Sequence, residues 1–289
     1  MSTTNFTTSS RDKIEPDMTN ITQAPCELTE RVQSSLMVYM KNLAAADFFL
    51  CLCLPLRIAH NATHSITIRH IYCSIGATAF YINMYASILF MDIIAANRYL
   101  KIVRPLETHA LQTVRTARNI SLGTWISLLA MSSVYLTPFL QTPWDLDPKL
   151  SCESLHSHGL GVAYKIIHCV LFAGFVFVLM SLVFLYWKTL QKIRQAQLST
   201  VSSSHKFNKS KRNMLVLVVI FCVCFVPYHL VRLPYMFSSD CTFNILKELT
   251  ILLSVLNVCF DPLIYFIFCK AFRDQLRKKD LQRSSEDQT

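Results

Sequence analysis

Glycine is nearly absent, with five in 289 residues, which removes glycine-rich phosphate loops and tight turns as the basis of any chemistry. Charge is also scarce. Asp, Glu, Lys and Arg make up 16% of the chain against 52% hydrophobic residues, and mean hydropathy is +0.35. A soluble domain carries about a quarter of its residues as charges, so an ordinary water-soluble fold is excluded. No G-x-G-x-x-G, H-E-x-x-H, paired C-x-x-C or Ser-His-Asp order occurs in the loops, and the chain reads as a non-enzyme. No internal repeat is visible either, which argues against a transporter built from two related halves.

What is present is a set of apolar stretches near the ~20 residues that cross a bilayer. They cover 36–60, 71–95, 120–140, 162–187, 214–237 and 246–269. The expectation is an all-α, polytopic membrane helix bundle with six recognisable spans. Two acids stand inside these stretches, Asp47 in LAAADFFLCLCLPL and Asp261 in LLSVLNVCFDPLIYFIF. An ionised side chain at mid-membrane costs roughly 2.5–3.5 kcal/mol on insertion scales, so such acids mark a pathway, relay or ion site.

Basic residues are uneven along the connections. Arg98, Lys101, Arg104, Arg115 and Arg118, then Lys188, Lys192, Arg194, Lys206, Lys209, Lys211 and Arg212, then Lys270, Arg273, Arg277, Lys278 and Lys279 fall on one side. The positive-inside rule makes that side cytoplasmic. These residues account for most of the net charge of +10. They fit anchoring on anionic headgroups as well as partner binding, whereas a nucleic-acid polymer is not expected.

The opposite side holds Cys73, Cys152, Cys241 and the glycosylation sequon at Asn61, as an oxidising extracellular face would. The amino-terminal segment carries two more sequons, at Asn5 and Asn20, and then Cys26. Both ends of the chain then conflict with an even number of crossings. The eleven residues from Cys26 to Leu36 are too few and too polar to cross, and residues 1–25 have no apolar signal-peptide core. The expectation is that a first helix is missing, through splicing or an error in the gene structure. Three regions follow: a disordered, glycosylated segment over 1–35, a membrane domain over 36–281 and a polar tail over 282–289. Cys51, Cys53, Cys169, Cys222, Cys224, Cys259 and Cys269 lie within spans and read as small packing residues.

These motifs together resemble the class A, rhodopsin-like G-protein-coupled receptors. Asn42-Leu-Ala-Ala-Ala-Asp47 is similar to that family's second helix, and Cys73 precedes Ala-Asn97-Arg98-Tyr99 as in its third. Trp125 marks the fourth. Cys224-Phe225-Val-Pro227 is similar to the sixth and Asp261-Pro262-Leu-Ile-Tyr265 to the seventh, with an amphipathic Phe272-Arg273 segment like the short eighth helix. The resemblance spans roughly 36–281.

The resemblance implies that Asp47, Asn83, Ser87, Asn257 and Asp261 form a sodium site; Asn83 and Ser87, four apart, share a helix face. A hydrated polar network without an ion is the alternative. It implies hinges at Pro227 and Pro262, where backbone hydrogen bonding is broken, and a switch in which Arg98 and Tyr265 exchange partners as the sixth helix swings out. Phe225, Asn97 and Tyr99 belong to the same switch motifs. Asn97 stands where the family carries an acid, so a restraining charge pair is lost, and Asp92 is an unusual further acid.

Phe225-Val-Pro-Tyr-His229-Leu-Val-Arg232-Leu-Pro-Tyr235, Leu246-Lys247-Glu248 and Tyr81-Ile-Asn-Met-Tyr85 are similar to the purinergic nucleotide receptors for ADP or UDP-sugars and their orphan relatives. By that resemblance Arg232 and Lys247 bind phosphate, with Tyr81, His229 and Tyr235 lining the pocket and Lys165 and His168 as further candidate cations. A lysophospholipid shares the phosphate. Disulfides Cys73–Cys152 and Cys26–Cys241 are implied in the same way, as are a plasma-membrane location and a heterotrimeric G protein of the inhibitory class. The competing reading is a truncated, non-signalling isoform, retained in the endoplasmic reticulum or suppressing a full-length receptor.

Overall fold

A computed structural model of the chain describes residues 34–63, 65–103, 109–141, 158–199, 204–235 and 241–268. Asn5, Asn20, Cys26, Cys152, the Phe272-Arg273 segment and the 282–289 tail lie outside the described residues, as does the side chain of Cys241. Every described element is helical. In chain order these are α1 (Ser35–Ala62), α2 (Ile66–Ile71), α3 (Ala77–Val103), α4 (Val114–Gln141), α5 (His158–Ser199), α6 (Ser204–Tyr235), α7 (Cys241–Val255) and α8 (Asn257–Phe268). A π-helical turn, Tyr72–Gly76, joins α2 to α3, and Leu256 alone separates α7 from α8. The eight helices therefore form six spans.

Five of them, Ser35–Ala62, Ala77–Val103, Lys165–Gln195, Asn208–Tyr235 and Ile245–Phe268, are long and apolar enough to cross a membrane. The sixth expected span falls on α4, long enough to cross at 28 residues. Its start is fixed locally: the Thr113 hydroxyl accepts the Thr116 N–H at 3.3 Å, capping an amide that the helix leaves unpaired.

The helix α3 sits at the centre, packed on α1, α4, α5 and α6. Met84, Ala86, Ser87, Ile88, Phe90, Met91, Ile94 and Ala95 are all buried around its circumference, the pattern of a helix with no outward face. By contrast Phe48, Phe49 and Leu52 on α1, Phe177, Met180 and Phe184 on α5, and Leu249 and Leu252 on α7 are exposed. Faces of that kind suit lipid or another helix and not water. Scarce glycine has a use at one position: a Cβ on Gly76 would lie 2.5 Å from Cδ2 of Tyr72, so the π-turn closes only without it. Tyr72 is thereby free to stack on His60 of α1, ring centroids 4.4 Å apart.

Cys73, within the π-turn, is buried and disulfide-bonded. Cys51, Cys53, Cys169, Cys222, Cys224 and Cys259 are free thiols.

Candidate ligand and switch sites

Three groups of polar side chains sit at three depths of the bundle. The first lies at the Cys73 end. In α6, Pro227 and Pro234 are both inside the helix, and the turn between them carries His229 and Arg232. Arg232 is 5% exposed, and a guanidinium nitrogen lies 2.9 Å from Nε2 of His168 on α5. Its guanidinium carbon is 5.4 Å from the ring centre of Tyr235. The same ring receives Lys247 of α7, whose Nζ is 4.3 Å from its centre and donates to the Tyr235 hydroxyl at 3.1 Å. One tyrosine thus gathers two cations from two helices through its negative face and its oxygen.

Below them His229 is buried, its Nδ1 2.8 Å from the Phe225 carbonyl and its ring stacked on Phe175 at 3.7 Å. Tyr85 meets His229 edge-on at 5.8 Å, and Tyr81 meets His168 likewise at 6.0 Å. Tyr81, His229, Arg232, Tyr235 and Lys247 therefore converge, with His229 as the floor. Asn61 is exposed at the same end, as a glycosylation acceptor must be.

A third cation belongs here that the sequence reading missed. Arg57 of α1 donates to Glu248 of α7 at 2.7 Å, with its guanidinium carbon 5.8 Å from the ring centre of Phe80. It lines a small cavity with Leu50, Cys53, Leu54, Tyr72, Gly76, Phe80 and Val255. An arginine three residues before the end of an apolar run reads as a snorkelling side chain; nothing local signals a partner on another helix.

The second group lies at mid-depth. Asn83 donates to Asp47 at 3.4 Å, Tyr265 donates to the other oxygen of Asp47 at 3.3 Å, and Asn257 donates to Asp261 at 3.0 Å. Asp47 and Asp261 lie close enough to interact with each other. Two carboxylates meet only if a proton or a cation lies between them. The Ser87 hydroxyl, Asn257 Oδ1 and Asp261 Oδ1 are buried with no hydrogen-bond partner among the described residues. That set of oxygens fits a hard cation. Nearby, Ser254 donates to the Cys224 carbonyl at 2.9 Å, tying α7 to α6 one turn before the Pro227 kink. Trp125 donates to Asn42 at 2.9 Å and Asn42 to the Val38 carbonyl at 2.8 Å, which locks α4 to α1.

The third group lies at the Arg98 end. Arg98 donates to the Phe268 carbonyl at the end of α8 and stacks over its ring at 4.8 Å. Asn97, fully buried, does not pair with it. Its amide donates to the Ser35 hydroxyl at 3.0 Å and the Leu111 carbonyl at 3.1 Å. The Tyr39 hydroxyl reaches the same carbonyl at 3.4 Å. Tyr99 is partly buried beside them and packs on the core. Pro262 lies inside α8, and the backbone tightens locally before it, at Leu256.

Three buried polar groups on one bundle, aligned with the motifs of a single receptor class, invite comparison with known proteins. Residues 26–265 match the 7 transmembrane receptor (rhodopsin family). The chain belongs to that family. Among relatives of this rhodopsin-family receptor, the bovine (Bos taurus) purinoceptor 14 is 34% identical over 259 residues, covering 85% of this chain and 76% of the relative. Human (Homo sapiens) purinoceptor 13 is 33% identical over 261 residues, covering 84% and 72%. Mouse (Mus musculus) lysophosphatidic acid receptor 6 is 28% identical over 263 residues, covering 86% and 76%.

A rhodopsin-family receptor is a multi-pass membrane protein and not an enzyme, and it signals through G proteins in response to small extracellular ligands. The described residues supply six spans against the seven in the family's name. The first of the six, α1, carries the motif expected of the second.

Proposed function

We propose that this receptor acts at the plasma membrane, takes an extracellular anionic ligand bearing phosphate, a nucleotide or nucleotide-sugar, and activates an inhibitory heterotrimeric G protein. The observation that carries the reading is the pairing of Arg232 and Lys247 on the ring of Tyr235. The planar fork of arginine suits phosphate oxygens, and the lysine ammonium sets a second positive charge on the same ring. Two purinoceptors among the relatives support it.

The test is a panel of UDP, UDP-glucose, ADP and lysophosphatidic acid on cells expressing the chain, read as inhibition of cyclic-AMP formation. A nucleotide is expected to activate, and Lys247→Ala to raise its half-maximal concentration about tenfold, the loss of one charge-assisted contact. Activation by lysophosphatidic acid alone would transfer the site to a lysophospholipid. The six described spans favour a second reading, a non-signalling isoform; an amino-terminal tag inaccessible on intact cells would establish it.

At mid-depth, the reading includes sodium held by Asp47, Asn83, Ser87, Asn257 and Asp261, a cation that would stabilise the resting bundle. Sodium chloride in place of choline chloride is expected to raise the thermal midpoint of the parent receptor and not of Asp47→Asn. An equal rise in both would remove the ion from this site.

A further inference from the structure

Glu248 stands apart from the other acids among the described residues. Asp47 and Asp261 are buried and Asp92 is partly so, whereas the Glu248 side chain is 52% exposed. Its oxygens touch cations on two sides: Oε2 is 2.7 Å from Arg57 on α1, and Oε1 is 3.9 Å from Nζ of Lys247 on α7. Both cations face inward, with side chains only 12% and 15% exposed. Arg57 is further held over Phe80, and Lys247 over Tyr235.

The asymmetry decides which partner moves. Packed stems and ring faces fix the two cations, while the carboxylate is half in solvent and leaves at little cost, since exposed ion pairs contribute about 0–1 kcal/mol. A phosphate entering beside Lys247 would meet a negative charge already seated there, and like charges at that distance repel.

We propose that Glu248 is the resident anion of this site, a carboxylate that bridges Arg57 and Lys247, ties α1 to α7 and is displaced by the ligand's phosphate. The proposal rests on the anion-binding reading of the preceding section. On displacement Arg57 becomes a third phosphate-facing cation and the α1–α7 tie opens. Glu248 is thereby a residue that sets affinity by competition.

The purified chain, titrated with potassium pyrophosphate at fixed ionic strength while the thermal midpoint is followed, tests this. The midpoint of the parent is expected to rise with pyrophosphate. For Glu248→Gln, the half-saturating concentration is expected to fall about two- to fivefold, with a lower midpoint before any is added. The charge-reversed pair, Arg57→Glu with Glu248→Arg, is expected to recover the midpoint that each single change loses.

An unchanged or higher half-saturating concentration in Glu248→Gln overturns the competition while leaving the anion site standing. If pyrophosphate shifts neither protein, the anion-binding reading has failed. The reversed pair then decides the tie by itself: recovery supports it and no recovery overturns it. Should the reversed chains not accumulate, the unliganded midpoint of Glu248→Gln against the parent carries that decision.

Discussion

Arg232→Ala is expected to raise the half-maximal concentration of an activating phosphate ligand by about 10- to 100-fold, because a hydrogen bond to a charged group contributes ~1.5–3 kcal/mol. The geometry explains why this position should dominate. Arg232 is 5% exposed, approaches His168 at 2.9 Å and lies against Tyr235, so its fork is oriented before any ligand arrives. Preorganisation of that kind reduces the ordering cost of binding. Arg232→Lys should recover only part of the loss, since an ammonium keeps the charge and not the paired donors. Lys188→Ala, where Nζ lies over Phe184 and Trp187 on the far half of α5, should leave the concentration unchanged. Equal potency for Arg232→Ala and the parent would place the anion elsewhere.

Asn97→Asp is expected to destabilise the receptor by about 2–4 kcal/mol instead of restoring a family-like restraint. The amide of Asn97 is a donor to both Ser35 and the Leu111 carbonyl. An aspartate could still accept from the Ser35 hydroxyl, but it has no donor for the Leu111 carbonyl and would press a negative oxygen against it. It would also be fully buried, as Asn97 is. The change should appear as a lower thermal midpoint and fewer receptors at the cell surface. A midpoint equal to or above the parent's would mean that the acid finds Arg98 after all. In this chain Arg98 is restrained by the last turn of α8, where the Phe268 carbonyl and ring hold it.

The two positions show what could be read without coordinates. Arg232 was legible because it recurs three residues after His229 on a helix whose proline marks the turn, and local spacing reports which side chains share a face. Asp47 and Asp261 were legible for a different reason, the high cost of acids within apolar runs. The partner of Asn97 was not. That residue marked an absent acid, but what its amide does instead depends on the turn at Ala110–Gln112, fourteen residues away in the case of Leu111.

Arg57 escaped notice on the same grounds, since Glu248 is 191 positions distant and only the rotation of α1 against α7 brings them together. Ser254 likewise looks like an ordinary small residue until its hydroxyl is seen on the Cys224 carbonyl of another helix. Sequence periodicity fixes faces and ends, while pairings across the bundle are set by packing. The π-turn is a similar case. Gly76 was counted as scarce but not as necessary, because the space it leaves is filled by a ring four positions earlier.

The single-residue interruption at Leu256 has a mechanical consequence. Lys247 and Glu248 stand on the stretch before it, Asn257, Asp261 and Tyr265 on the stretch after it. At the joint the Leu256 N–H still reaches the Leu252 carbonyl at 3.1 Å, and its own carbonyl takes Cys259 at 2.9 Å in a tightened turn. A rod of unbroken α-helix would carry a pull at its outer end along its whole length. Here the Phe260 N–H also reaches the Leu256 carbonyl, at 3.3 Å, so helical bonds continue through the tightened turn and a displacement at Lys247 or Glu248 is passed along the same axis toward Asn257 and Asp261.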